Sequence, residues 1–138
     1  MELSEILFHA GSASIVLVGL GHTVGELTSK EAALPEHVRE TLASMKTVHI
    51  QMPGRKVALF EMMRGFSLMM GVALIVIGIL NHLSASYAAE SNAALIINIV
   101  FSIFSVAISV RYFFIFPVIF MSLAALCYCA TFAVMNFG

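Results

Sequence analysis

Charge is what this sequence has least of. Asp, Glu, Lys and Arg together make up 11% of its 138 residues, against about 25% in a soluble domain. Neither sign dominates. The formal net charge is −1, so no basic patch exists to hold a polyanion, and nucleic-acid binding is excluded. Cysteine is scarce as well. Cys127 and Cys129 stand one residue apart inside an apolar run. They form no CxxC, their spacing strains a disulfide, and two cysteines make no disulfide framework. They read as packing residues, the usual fate of a free cysteine.

What the sequence has is apolar mass: 60% hydrophobic residues and a mean hydropathy of +0.99. The length allows one domain, and a water-soluble globule of this size could not bury so much apolar surface. That excludes a soluble enzyme and a disordered chain. A membrane span needs about 20 mostly apolar residues. Four stretches meet or approach this: 6–25, 57–80, 93–110 and 112–137. The runs are continuous rather than alternating, and an open sheet cannot sit in lipid, so they read as helices. The first begins with Glu2 and Glu5 and no Lys or Arg, unlike a signal peptide, and reads as a retained helix. The expected fold is all-α: a four-transmembrane-helix bundle forming one membrane domain over 1–138.

Residues 26–56 form the one sizeable polar link. Pro35 suits a helix N1 position. Val38, Leu42, Met45 and Met52 recur at helical spacings. Glu36 and Glu40 come early and Lys46 late, as the helix dipole favours. This predicts a short amphipathic helix, lying on the membrane surface or folded back on the bundle. Pro53 and Gly54 end it, and Arg55 and Lys56 anchor the second span. Orientation follows from Lys and Arg. Lys30, Arg39, Lys46, Arg55 and Lys56 lie in this link and Arg111 in the third, while the remaining links and both tails hold none. Links one and three are therefore expected in the cytoplasm, with both termini outside.

Helices in lipid associate through small residues that allow close approach. Gly21 and Gly25, then Gly71 and Gly78, then Ala125, Cys129 and Ala133 supply such spacings. Pro117 is expected to kink the fourth span. The Met and Phe residues read as packing and lipid contact.

Ionisable groups inside the membrane cost about 2.5–3.5 kcal/mol each, which makes them candidates for function. They sort into two layers. The inner layer holds His22, Thr23, Glu26, Glu61 and Arg64, with Arg111 and Tyr112 at its edge. His22 and Glu26 share a helix face, and so do Glu61 and Arg64. At about 1.5 Å per residue from Lys56, Glu61 lies roughly 8 Å in and Arg64 roughly 12 Å in. Arg64 is expected to point into the bundle and pair with Glu61 or Glu26. The cluster reads either as a buried ion-pair network that fixes helix register or as a pocket for an anionic headgroup, a small acid or a proton. His22, Glu26 and Glu61 also have the ligand types of a metal site, although none is assigned. The outer layer holds His9, Asn81, His82, Asn98, Tyr128 and the cysteines. His9, His82 and Asn98 form a secondary candidate cluster. His9 and His82, with His22 deeper, would be the ligands if the bundle held haem b.

"GLGHTVGEL" at 19–27, a polar link, then "RGFSLMMG" at 64–71 resemble small four-helix bacterial integral membrane proteins loosely grouped as DoxX-like. The resemblance implies the fold and a bacterial inner membrane, and no activity. The membrane-associated eicosanoid and glutathione enzymes share the helix count, but Arg55 would need an Asn at Leu59 and an acid at Met62. The small multidrug exporters carry a Glu in mid-span one, where this chain has Ala13 to Val18. Vitamin K epoxide reductases need a CxxC. The expected role is binding of a lipid- or quinone-like molecule, or service as an accessory subunit. The partners would be membrane lipid and further copies or a larger membrane complex. The rivals are a membrane enzyme on a lipophilic substrate, with Glu61 or Glu26 as acid/base beside His22 and Arg64 holding an anion, and a small proton-coupled transporter.

Overall fold

The computed structural model describes residues 2–29, 33–88 and 90–137, so Lys30 of the basic link lies outside the described residues. Four long helices carry the fold: α1 (Leu3–Thr28), α3 (Leu59–Leu83), α5 (Asn92–Tyr112) and α6 (Ile115–Phe137). Each is long and apolar enough to cross a membrane. The 26 residues of α1 reach about 39 Å, more than the roughly 30 Å of bilayer hydrocarbon. The chain is a multi-pass membrane protein, an all-α four-helix bundle. Two boundaries differ from expectation. Val57 and Ala58 precede α3 in an extended strand, and Tyr112 ends α5 rather than opening the last helix.

The polar link holds more structure than its periodicity predicts. Helix α2 (Glu36–Thr47) is followed by an antiparallel hairpin of β1 (His49–Met52) and β2 (Arg55–Ala58), with Ile50 opposite Val57. Pro53 and Gly54 turn it. Proline fixes φ near −65°, and Gly54 has φ 87°, which together select a type II turn. Met52 thus sits on a strand and not on the apolar face of α2, and Pro35 is the cap rather than N1. Val38, Leu42 and Met45 are half-buried, and α2 folds back onto α3. The Lys46 ammonium lies 5.0 Å from the centre of the Phe60 ring. A single turn, α4 (Ala85–Ala88), joins α3 to α5.

The bundle is built with its small and polar residues inside. Gly11, Ser12, Ser14 and Gly19 of α1, Gly71 and Gly78 of α3, and Ser102 of α5 are buried. Ile97, Phe104, Leu126 and many other large side chains face outward. Lipid is as apolar as leucine, so burying leucine gains little, whereas small residues let helices touch. At the α1–α3 crossing a Cβ on Gly78 would lie 2.9 Å from the Ser12 carbonyl, and one on Gly19 2.7 Å from the Gly71 carbonyl. A Cβ on Gly71 would collide with the Thr23 hydroxyl. The expected Gly71–Gly78 face is therefore the contact. Gly21 and Gly25 do not act as a pair: Gly21 faces Phe116 of α6 and Gly25 faces open space. On α6 the buried stripe runs Pro117, Met121, Ala124, Tyr128 and Thr131, while Cys129 and Ala133 are exposed. Pro117 falls in the first turn of α6, where its missing N–H has no intrahelical partner to lose, so it starts the helix without kinking it.

Helix α1 lies between α3 and α6, and α6 packs on α5. One polar node ties all four spans together at the end of the bundle that carries the termini. Ser12 Oγ donates to the Phe8 carbonyl at 2.8 Å, so its contact of 3.2 Å with Tyr128 is a bond donated by the tyrosine hydroxyl. Asn81 Nδ2 donates to Asn98 Oδ1 at 2.6 Å and to Tyr128 Oη at 3.3 Å. Asn98 in turn donates to the Ala94 carbonyl at 3.0 Å. In detergent unfolding, Gly78→Ala should cost about 1–3 kcal/mol through overpacking. Gly25→Ala should be neutral or stabilise by up to roughly 1 kcal/mol through backbone entropy. Equal effects at the two glycines would refute this packing.

Candidate functional site

The inner layer assembles around Ser67, a residue the sequence reading leaves out. Ser67 follows Arg64 by three positions on α3, which puts both on one helix face. His22 and Glu26 come from one face of α1. Ser67 Oγ lies 2.9 Å from His22 Nε2 and donates to Glu26 Oε2 at 3.0 Å. A serine has one hydrogen to give. With that hydrogen on Glu26, His22 donates from Nε2, and in the neutral imidazole Nδ1 then carries the lone pair. Glu26 Oε1 lies 3.6 Å from Arg64 Nε. The result is a chain of four groups, His22–Ser67–Glu26–Arg64, across the α1–α3 contact.

Two expectations change. Glu61 stands apart: it is exposed, and among the described residues it makes no ion pair with Arg64. The ion pair is also not buried. The Arg64 and Glu26 side chains are 44% and 26% exposed, because Arg64 reaches toward the hairpin end of the bundle as a long cationic side chain near an interface does. A pair so exposed contributes about 0–1 kcal/mol and cannot fix helix register alone. Thr23 packs beneath Gly71 instead of joining the chain. Arg111 and Tyr112 are exposed at the end of α5.

The four-residue chain separates two cavities. On its hairpin side, a cavity of about 340 Å³ is lined by Glu26, Ser67 and Arg64 and roofed by Leu42 and Met45 of α2. On its other side, a cavity of about 180 Å³ lies among all four spans. Val18 and His22 of α1, Leu74 of α3, Phe101 of α5 and Met121 of α6 line it. Its walls are almost wholly apolar, and His22, Ser105 and Ser109 are the polar residues among them. The His22 ring meets Phe113 edge-on at 6.0 Å. Helices α3 and α5 pack only sparsely on one another, and both line the cavity, which lies at the gap between them. His22 is the residue in contact with both environments: it lines the apolar cavity and bonds the polar chain.

The outer candidates do not form one cluster. His9 and His82 touch, with their Nδ1 atoms 2.9 Å apart and ring centres 4.3 Å apart. The rings face each other directly rather than across a macrocycle. Asn98 belongs instead to the buried Tyr128 node. Cys127 is buried, Cys129 is exposed, and both are free thiols. Among the described residues no three His, Cys, Asp or Glu side chains converge on one point, so His22, Glu26 and Glu61 do not come together as metal ligands.

A double-mutant cycle on Glu26→Gln and Arg64→Leu, read by unfolding in detergent, should give a coupling below about 1 kcal/mol. A coupling of several kcal/mol would return the pair to a register-fixing role. Compared with protein-family models, curated proteins and solved structures, the chain matches none.

Proposed function

We propose that this protein binds one lipophilic molecule with a polar head, lipid- or quinone-like, in the cavity shared by the four spans, with the head against His22. The observation that carries this reading is the position of His22 between an apolar cavity and a hydrogen-bonded polar chain. An apolar hollow with a few convergent polar groups is the usual form of a small-molecule site. The Nδ1 lone pair of His22 accepts a hydrogen bond from the head, and Ser105 and Ser109 offer hydroxyls. The tail follows the gap between α3 and α5, where the molecule enters sideways from the bilayer. The DoxX-like resemblance and the excess of Lys and Arg on the α2 side support a bacterial inner membrane with both termini outside.

A second reading has a specific support. The chain from His22 through Ser67 to Glu26 runs from the cavity toward the hairpin end, as a path for a proton would. On that reading the protein is a membrane enzyme or a small proton-coupled transporter, with His22 and Glu26 exchanging the proton and Arg64 steadying the carboxylate. Glu61 has no part in it.

Native mass spectrometry of the gently solubilised protein, with lipid extraction alongside, tests the binding reading. A stoichiometric small molecule is expected, reduced at least tenfold in Ser105→Trp, which fills the cavity, with the melting temperature little changed. A bare protein, or one carrying only another polypeptide, would overturn the reading in favour of an accessory subunit. If binding survives in Glu26→Gln while turnover or transport is lost, the second reading gains. Orientation is testable separately, in a background with Cys127 and Cys129 replaced by Ala. Glu90→Cys should react with an impermeant thiol reagent on intact spheroplasts, and Ser44→Cys only after permeabilisation. The reverse pattern would invert the topology.

A further inference from the structure

We propose that His9 and His82 form a two-imidazole chelate for a divalent first-row transition metal ion, at the end of the bundle that carries the termini. The two rings come from different spans, α1 and α3, and both reach the surface: His9 is half-buried and His82 exposed. Their Nδ1 atoms are 2.9 Å apart. Two nitrogens each about 2.0 Å from one ion stand about 2.8 Å apart at a right angle and about 3.3 Å apart at a tetrahedral angle. The observed spacing falls inside that range.

The ring orientation adds a second observation. A head-on N–H···N bond of this length adds a ring radius at each end and sets the ring centres about 5 Å apart. Here they are 4.3 Å apart, with the planes at 56°. The pair is therefore not collinear: at least one nitrogen axis is inclined to the line between the nitrogens, as ligation of one ion at a right or tetrahedral angle requires.

The pair is also held firmly. Ser12 lies one turn beyond His9, and Gly78 one turn before His82. These are the residues at the tightest α1–α3 contact, where a Cβ on Gly78 would lie 2.9 Å from the Ser12 carbonyl. Neither helix can withdraw its histidine without breaking that contact. Each ring turns Nδ1 to the ion and carries its hydrogen on Nε2, so both ligands stay neutral. Water completes the coordination, which makes the site open and exchangeable rather than closed and structural. Imidazole suits copper, zinc and nickel, and Cu²⁺ should bind tightest of these. The site is independent of the cavity near His22.

The test is titration of the full chain in detergent with Cu²⁺, using a purification tag without histidine, followed by electron paramagnetic resonance and calorimetry. One equivalent should bind and show coupling to two imidazole nitrogens. His9→Gln and His82→Gln should each weaken binding at least tenfold and leave one nitrogen coupling, while His49→Gln should change nothing. Zn²⁺ should compete. Absence of uptake, a wild-type spectrum with fewer than two nitrogens, or unchanged binding in His9→Gln or His82→Gln would overturn the proposal. The nitrogen count is read on the unaltered chain, so a variant that fails to fold cannot shelter it.

Discussion

The structure depends on the Tyr128 hydroxyl. In lipid the hydrophobic effect does not gather helices, so contacts of another kind must specify which face meets which. Tyr128 donates to Ser12 and accepts from Asn81, and Asn81 holds Asn98. One residue from each span takes part. Tyr128 is fully buried and its ring stands edge-on to Phe8 at 5.1 Å. A slip of any helix by one residue would leave several of these groups unpaired in an apolar interior, where each costs free energy. The glycine contacts bring α1 and α3 close; the node decides their register and that of the other two spans.

The two ends of the bundle consequently differ. At the termini end α3 and α5 are tied through Asn81 and Asn98. Toward the hairpin, residues of both helices line the apolar cavity beside His22 instead. Polar groups divide in the same way. Those near the termini are mostly satisfied within the bundle and serve its assembly. Those of the His22–Ser67–Glu26–Arg64 chain near the hairpin are only partly buried and border two cavities. The same residue types therefore close the bundle at one depth and line its cavities at another.

Much of this was legible in the sequence. Long uninterrupted apolar runs state the four spans, because the bilayer thickness sets their length. Gly71 and Gly78, seven apart, marked the α1 contact because one face repeats at that interval. Three things were hidden. The hairpin at 49–58 is too short and too exposed to leave an alternating pattern, although Pro53–Gly54 was its turn rather than a simple stop. The burial of Tyr128 instead of Cys129 depends on helix rotation, which apolar composition all round the helix leaves open. Ser67 was missed because a serine costs little in a membrane and so attracts no notice, although its place three residues after Arg64 put it on the inner face. His9 and His82 pair with each other while Asn98 joins the Tyr128 node, a division the sequence hides because depth says nothing of azimuth around the bundle.

The junction between hairpin and helix has a mechanical meaning. No loop separates β2 from α3: Ala58 ends the strand and caps the helix, and the Leu59 amide bonds the Val48 carbonyl at 2.8 Å. The hairpin is thus welded to the helix, with no flexible link between them. A change in where the hairpin sits at the membrane surface therefore meets no flexible loop that could absorb it and passes directly to the first turn of α3.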